Sequence, residues 1–244
     1  GRSFWILDDL SPLHQIAERK PKVLQLLPPR EAYLTQMRGF RGVDAPSAAP
    51  SGAIVYFYLN DAYKDPVKLE IRDSEERLVK VYSSVPDLSA DETLLEAQDG
   101  LNRMVWDLKY TAPDLVGDAV MSLAYTGGPT AAPGTYTLKL IQGDHVQTQS
   151  LALKKDPRWE ASEEDLQKQF ALSIQVLDRL VQVHRGIKQI RAVRTQLNSL
   201  VDRATGAGYE AEVEVQAQAI IEKLNALEEE LIQTRNESGQ DPIN

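Results

Sequence analysis

The sequence predicts a mixed fold in two successive parts, all-β and then all-α: an immunoglobulin or fibronectin type III-like β-sandwich followed by a long antiparallel helical hairpin. Three observations carry this. Gly100-Leu-Asn-Arg-Met-Val-Trp-Asp-Leu108 and Ala132-Pro-Gly-Thr-Tyr-Thr-Leu-Lys-Leu140 alternate their side chains between two faces, as strands do. Short strand-like runs with turn residues between them recur about every ten residues through 31–157. From Ser162 the apolar period changes from 2 to 3.6.

Residues 1–30 read as one strand and a linker. Phe4 to Leu7 is strand-like, Asp8-Asp9 and Ser11-Pro12 stop it, and Leu13 to Ile16 has room for one helical turn. Pro21, Pro28 and Pro29 keep the remainder extended. An unpaired Phe-Trp-Ile-Leu edge would invite aggregation, so it needs a neighbour: the adjoining sandwich, or an upstream domain of which it is the last strand. The start at Gly1 without an initiator Met, and the close on a Gln240-Asp-Pro turn, predict an internal or C-terminal piece of a larger protein.

Residues 31–157 carry the sandwich. Ala53-Ile-Val-Tyr-Phe-Tyr-Leu59 has the strongest strand propensity, being dense in β-branched and aromatic side chains. Pro66 to Ile71 and Arg77 to Tyr82 form a hairpin around the polar turn Asp73-Ser-Glu-Glu76. Leu101 to Leu108 and Thr135 to Ile141 follow, and Gln142-Gly-Asp144 turns the chain into His145 to Leu153. The stretches 83–99 and 111–130 read as loop insertions free to carry function.

Residues 158–244 form the hairpin. Ser162 with Asp165 makes a short-armed capping box. Leu166, Phe170, Ile174, Leu177, Val181, His184, Ile187, Ile190, Leu197 and Val201 mark one stripe, ended by Thr205-Gly-Ala-Gly208. A second helix runs from Tyr209 to Asn236, with Val213, Ala217, Ile220, Leu224, Leu227 and Leu231 as a candidate heptad seam for association. The first helix spans roughly 60 Å and the second roughly 40 Å, so the first overhangs. Two helices bury too little to be secure; the sandwich, another protein or a second copy in a homo-oligomer should complete the seam.

The residues offer no reactive constellation, so catalytic, cofactor and metal roles are all left unassigned and the chain is not read as an enzyme. Its net charge of −9 argues against nucleic acid and anionic membranes as partners, and no apolar run reaches the roughly 20 residues of a membrane helix. Cysteine is absent. His14, His145 and His184 have no second ligand at metal-binding spacing, and His184 reads as a satisfied seam residue. Asp61 to Asp65 lacks the terminal Glu of a calcium loop, and Gly127-Gly-Pro129 lacks the helix start of a phosphate cradle. Glu228-Glu-Glu230 reads as a solvated helix face. Arg185, Lys188, Arg191 and Arg194 read as its pairing surface, at tenths of a kcal/mol per exposed pair. Tyr56 and Tyr58 share a face that either packs internally or stacks on a polysaccharide or a protein partner.

Several of these segments line up with one family. Gly1-Arg-Ser-Phe-Trp-Ile-Leu-Asp-Asp9 resembles the end of a sortilin-like, BNR-repeat β-propeller, and Ser51-Gly-Ala-Ile-Val-Tyr-Phe-Tyr-Leu59 resembles the strand that follows it in bacterial members. Gly100 to Leu108 and Pro133-Gly-Thr-Tyr136 are similar to the Ig-like module of those proteins and of flagellar hook-capping proteins, and Lys155-Asp-Pro-Arg158 before a long helix is similar too. Ala45-Pro-Ser47 departs from the family's Asn-Pro-Pro segment. The resemblance implies a secreted or periplasmic parent labelled a glycosyl hydrolase, with the upstream propeller as intramolecular partner. It transfers no catalytic residue, because its motifs are strand and turn signatures.

Overall fold

The computed structural model describes residues 9–20, 24–35, 51–60, 65–87, 91–117, 126–207 and 210–234. The expected strand at Phe4 to Leu7, the linker segment at 36–50 and most of the Asp61–Asp65 loop lie outside them. The chain combines β-sheets with helices and divides into two compact units, 1–111 with 129–172 and 112–128 with 173–244.

In the first unit, α1 (Ser11–Arg19) takes in residues on both sides of the single turn Leu13 to Ile16 that the sequence suggested, and it begins where the Asp9 carboxylate accepts from Ser11 N–H at 3.0 Å and Ser11 Oγ–H at 2.6 Å. The linker after it supplies two very short strands, β1 (Gln25–Leu26) and β2 (Ala32–Leu34). One antiparallel sheet has the order β1, β3 (Ala53–Leu59), β7 (Gly100–Trp106). The other has the order β2, β9 (His145–Lys155), β8 (Gly134–Gln142), β4 (Val67–Arg72), β5 (Leu78–Ser83), β6 (Thr93–Leu94). Its outer pairs, β2 with β9 and β5 with β6, are parallel and the rest antiparallel. Strand β6 falls inside the stretch 83–99 expected to be a loop. A strand of two residues has no alternation to detect.

Period-2 alternation places Val55, Phe57, Leu69, Ile71, Leu138, Leu140, Leu151 and Leu153 in the core between the sheets. Trp106 and Tyr136 join the sheets edge-on, with ring centroids 5.0 Å apart, and the Trp106 indole N–H donates to the Lys109 carbonyl at 3.0 Å. Gly52 is required at the entry to β3: a Cβ there would lie 2.2 Å from the Trp106 carbonyl oxygen, and its φ is +143°. The free edge of β1 is closed by glutamines from β9. Leu26 N–H donates to Gln147 Oε1 at 3.4 Å, and Gln149 Nε2 donates to the Leu26 carbonyl at 3.3 Å.

The strand-to-helix joint is also built from side chains. Buried Asp156 accepts from Arg158 N–H at 2.9 Å and from both Arg158 guanidinium nitrogens, while Lys155 Nζ donates to the carbonyls of Trp159 and Ala161 at 2.8 and 2.9 Å. Arg158 holds the Asp156 carboxyl down at about 2. Helix α2 (Glu163–Ala207) then starts on the expected capping box: Asp165 N–H donates to Ser162 Oγ at 3.1 Å and Ser162 N–H to Asp165 Oδ2 at 3.2 Å. Its first turns stay with the sheets through Gln167 Nε2 to the Pro133 carbonyl at 2.7 Å and the tilted Phe170–Tyr110 ring pair.

In the second unit α2 continues past Thr205 and turns back as α3 (Glu210–Leu231). The helices are antiparallel, since Arg191 reaches Glu228, Arg194 reaches Asn225, and Gly186 faces Leu231. Helix α3 ends before the expected Asn236. Its last turn carries Glu228 to Leu231 and no basic residue to complement the carbonyl end.

Candidate association surface

The hairpin has two unlike sides. Helix α3 turns Val213, Ala217, Ile221, Leu224 and Glu228 toward α2, spaced three and four apart. Two members of the expected seam do not close against α2: Ile220 and Leu227 remain 44% and 50% exposed, while Leu231, 43% exposed, lies against Gly186. On α2, Val193 and Leu200 are 41% and 45% exposed. Helical periodicity in an antiparallel pair sets these α2 and α3 residues on the same side of the seam, with Glu228 in the seam itself and Arg191 on its far flank. The result is one open apolar side and one charged side.

The charged side corrects the sequence reading. Glu228 is not solvated; it is 3% exposed, and its carboxylate is gripped by Arg191 Nε at 2.6 Å and Arg194 Nη1 at 2.8 Å. Arg194 also donates to Asn225 Oδ1 at 2.7 Å. A polar groove of about 320 Å³ runs beside them, lined also by Glu229, Ile232 and Thr234. The neighbouring Glu229 and Glu230 are exposed, as expected of a surface helix. Within the basic run, Lys188 pairs not with α3 but with Asp114 from the segment 112–117.

That segment is pinned to α2 a second time. His184 is buried, and its Nδ1 accepts the Val116 N–H at 3.1 Å, which fixes the neutral ring with its proton on Nε2. The stripe histidine is therefore a satisfied core group. Burial first, then the Lys188 and Arg191 charges, hold its imidazole below the usual histidine range, against the opposing pull of Asp114. An unfolded chain then binds the proton more readily than the folded one. Stability should be level above about pH 6.5 and fall as pH drops from there through the lowered folded value. Thermal unfolding across mildly acidic pH checks this: His184→Asn, whose Oδ1 takes the place of Nδ1 and can accept the same N–H, should flatten the slope. An unchanged slope in that variant would assign the effect elsewhere.

Tyr56 and Tyr58 lie in the first unit on the outer face of the three-stranded sheet, half-buried, across from Arg103 and Leu101 on β7. Among the described residues, no group of three or more His, Asp or Glu is placed to hold a metal ion, and no helix is long and apolar enough to cross a membrane.

Neither protein-family models nor curated proteins give a match to this chain.

The surface residues missed in the sequence were Val193 and Leu200, which fall outside the stripe facing α3. The missed polar contact was Glu228. Its helix position, four residues beyond Leu224, was the available signal, because that spacing returns it to the seam.

Proposed function

We propose that this chain is a non-catalytic accessory region that joins other protein parts, with the open side of the hairpin as its docking surface. The observation that carries this is the row of partly exposed Ile220, Leu227, Val193 and Leu200 on one side of a hairpin whose other side is polar. An amphipathic helix pair with an unfilled apolar side is the arrangement that a further helix completes. The parent is a secreted or periplasmic protein of the BNR-propeller type, by the resemblance of the segments quoted above.

In this reading the two-sheet unit is an Ig-like module. Its strand order fits a variable-type sandwich with a first strand divided between both sheets. The Tyr136 hydroxyl, which donates to the Ala132 carbonyl at 2.8 Å at the start of β8, supports the same assignment as a tyrosine corner. The Lys155 to Ala161 joint ties the last strand to the first turns of α2.

The test combines hydrophobic-dye binding, sedimentation and thermal unfolding of the chain and of Ile220→Glu/Leu227→Glu. The parent chain should either bind dye or associate. The double variant should do neither, while its helical content is kept and its stability at low concentration stays within about 1 kcal/mol, as for surface sites. Loss of the helices in the variant would show that these side chains belong to the internal core, and the reading would fail.

A further inference from the structure

We propose that the occupant of the open hairpin side is a second copy of the same chain, paired antiparallel about a two-fold axis; this rests on the docking-surface reading above. The argument comes from the charges that border the apolar row. Lys223 and Glu230 are exposed, lie on α3 one heptad apart and therefore share an azimuth, on the flank of the row formed by Ile220 and Leu227. A two-fold axis through the middle of that heptad, at Ala226 and Leu227, sets each Lys223 opposite the other copy's Glu230. Both contacts are made by one operation, so the edge of this surface is complementary to itself.

The rest of the surface agrees with that axis. The register within the hairpin, fixed by Arg191 with Glu228 and Arg194 with Asn225, carries the same axis across α2 between Ile190 and Val193. Val193 thus lies next to the axis, and Gly186 leaves room near the end of the apolar row. Leu227 lies at the axis, where the two α3 helices come closest. All neighbouring helices in the assembly run antiparallel, which is the packing of a four-helix bundle. A different partner protein would have to supply the charges that match Lys223 and Glu230 from its own sequence. For a second copy that match follows from symmetry.

Sedimentation equilibrium on the 244-residue chain tests it. The chain should be a dimer, and Leu227→Glu a folded monomer by circular dichroism. Lys223→Glu and Glu230→Lys should each weaken dimerisation by about tenfold, because each converts two attractive contacts into two repulsive ones. The double variant K223E/E230K should recover most of the affinity. Single variants that dimerise like the parent chain, or a double variant weaker than either, would overturn the axis. A monomeric parent chain that binds hydrophobic dye through Leu227 would overturn self-pairing and leave the docking surface standing for another protein. A monomer that binds no dye there would remove both.

Discussion

Trp106→Ala should destabilise the two-sheet unit by about 3–5 kcal/mol, the range for deleting a large aromatic from a packed core. Trp106 is fully buried, meets Tyr136 edge-on across the two sheets, and has its indole N–H on the Lys109 carbonyl. Deletion removes the ring that fills the space between the sheets and leaves that carbonyl without its donor. The adjacent backbone cannot close the gap freely. Gly52 already lies against the Trp106 carbonyl, and Leu108 holds a φ of +58° as the chain leaves the strand. Urea unfolding followed by far-UV circular dichroism measures the loss. Trp106→Phe, which keeps a ring but not the N–H, should lose about 0.5–1.5 kcal/mol, the net contribution of one hydrogen bond. Equal losses for the two variants would mean that the hydrogen bond, not the ring volume, dominates. A loss below 1 kcal/mol for the alanine variant would contradict the inter-sheet role altogether.

The second large effect is expected in the helical unit. Glu228→Ala should destabilise the hairpin by about 3 kcal/mol, at the low end for breaking a buried ion pair. The low end applies because Arg191 and Arg194 are about one-third exposed and can turn toward water once the carboxylate is gone. Two guanidinium groups held near one carboxylate would repel each other in its absence, so Glu228→Gln should fall between the parent and the alanine variant. Glu229→Ala, one position along the same helix and exposed, should change stability by no more than about 0.5 kcal/mol. Helix loss on heating, followed at fixed pH, gives the comparison. Similar losses at 228 and 229 would mean that the acidic run acts as a solvated face after all. The contrast also separates this contact from surface pairs such as Lys154 with Glu31, whose side chains are both half exposed.

The elements that could be read from the sequence are those with several periods. Strand β3 shows the alternation Ala53, Val55, Phe57, Leu59 in full, and the structure buries those four. The β4–β5 hairpin turns at Asp73, whose carboxylate accepts from the N–H groups of Glu75 and Arg77 at 2.9 and 3.0 Å, as the polar Asp73-Ser-Glu-Glu76 run implied. Strands β1, β2 and β6 span two or three residues and exist because a neighbouring strand offers a free edge, which is a tertiary fact. The stretch 111–130 was legible only as an insertion. That its start pairs with His184 and Lys188 depends on residues some seventy positions away.

The candidate surface divides in the same way. A heptad pattern names the apolar residues of α3 but not which of them face α2. Val213, Ala217 and Leu224 turn inward while Ile220, Leu227 and Leu231 stay partly in water, because two helices can cover only a strip of each other. By itself, then, the sequence determined the change from β to α at Ser162, the antiparallel return of a second helix, the capping box and the alternating core strands. All of these are set by contacts within a few residues or by periodicity along one segment. Only the tertiary structure decided that Glu228 is buried between arginines, that β1 is closed by two glutamines from β9, and which side of the hairpin remains open. Those outcomes depend on the relative rotation of elements distant in the chain, and no local pattern encodes that rotation.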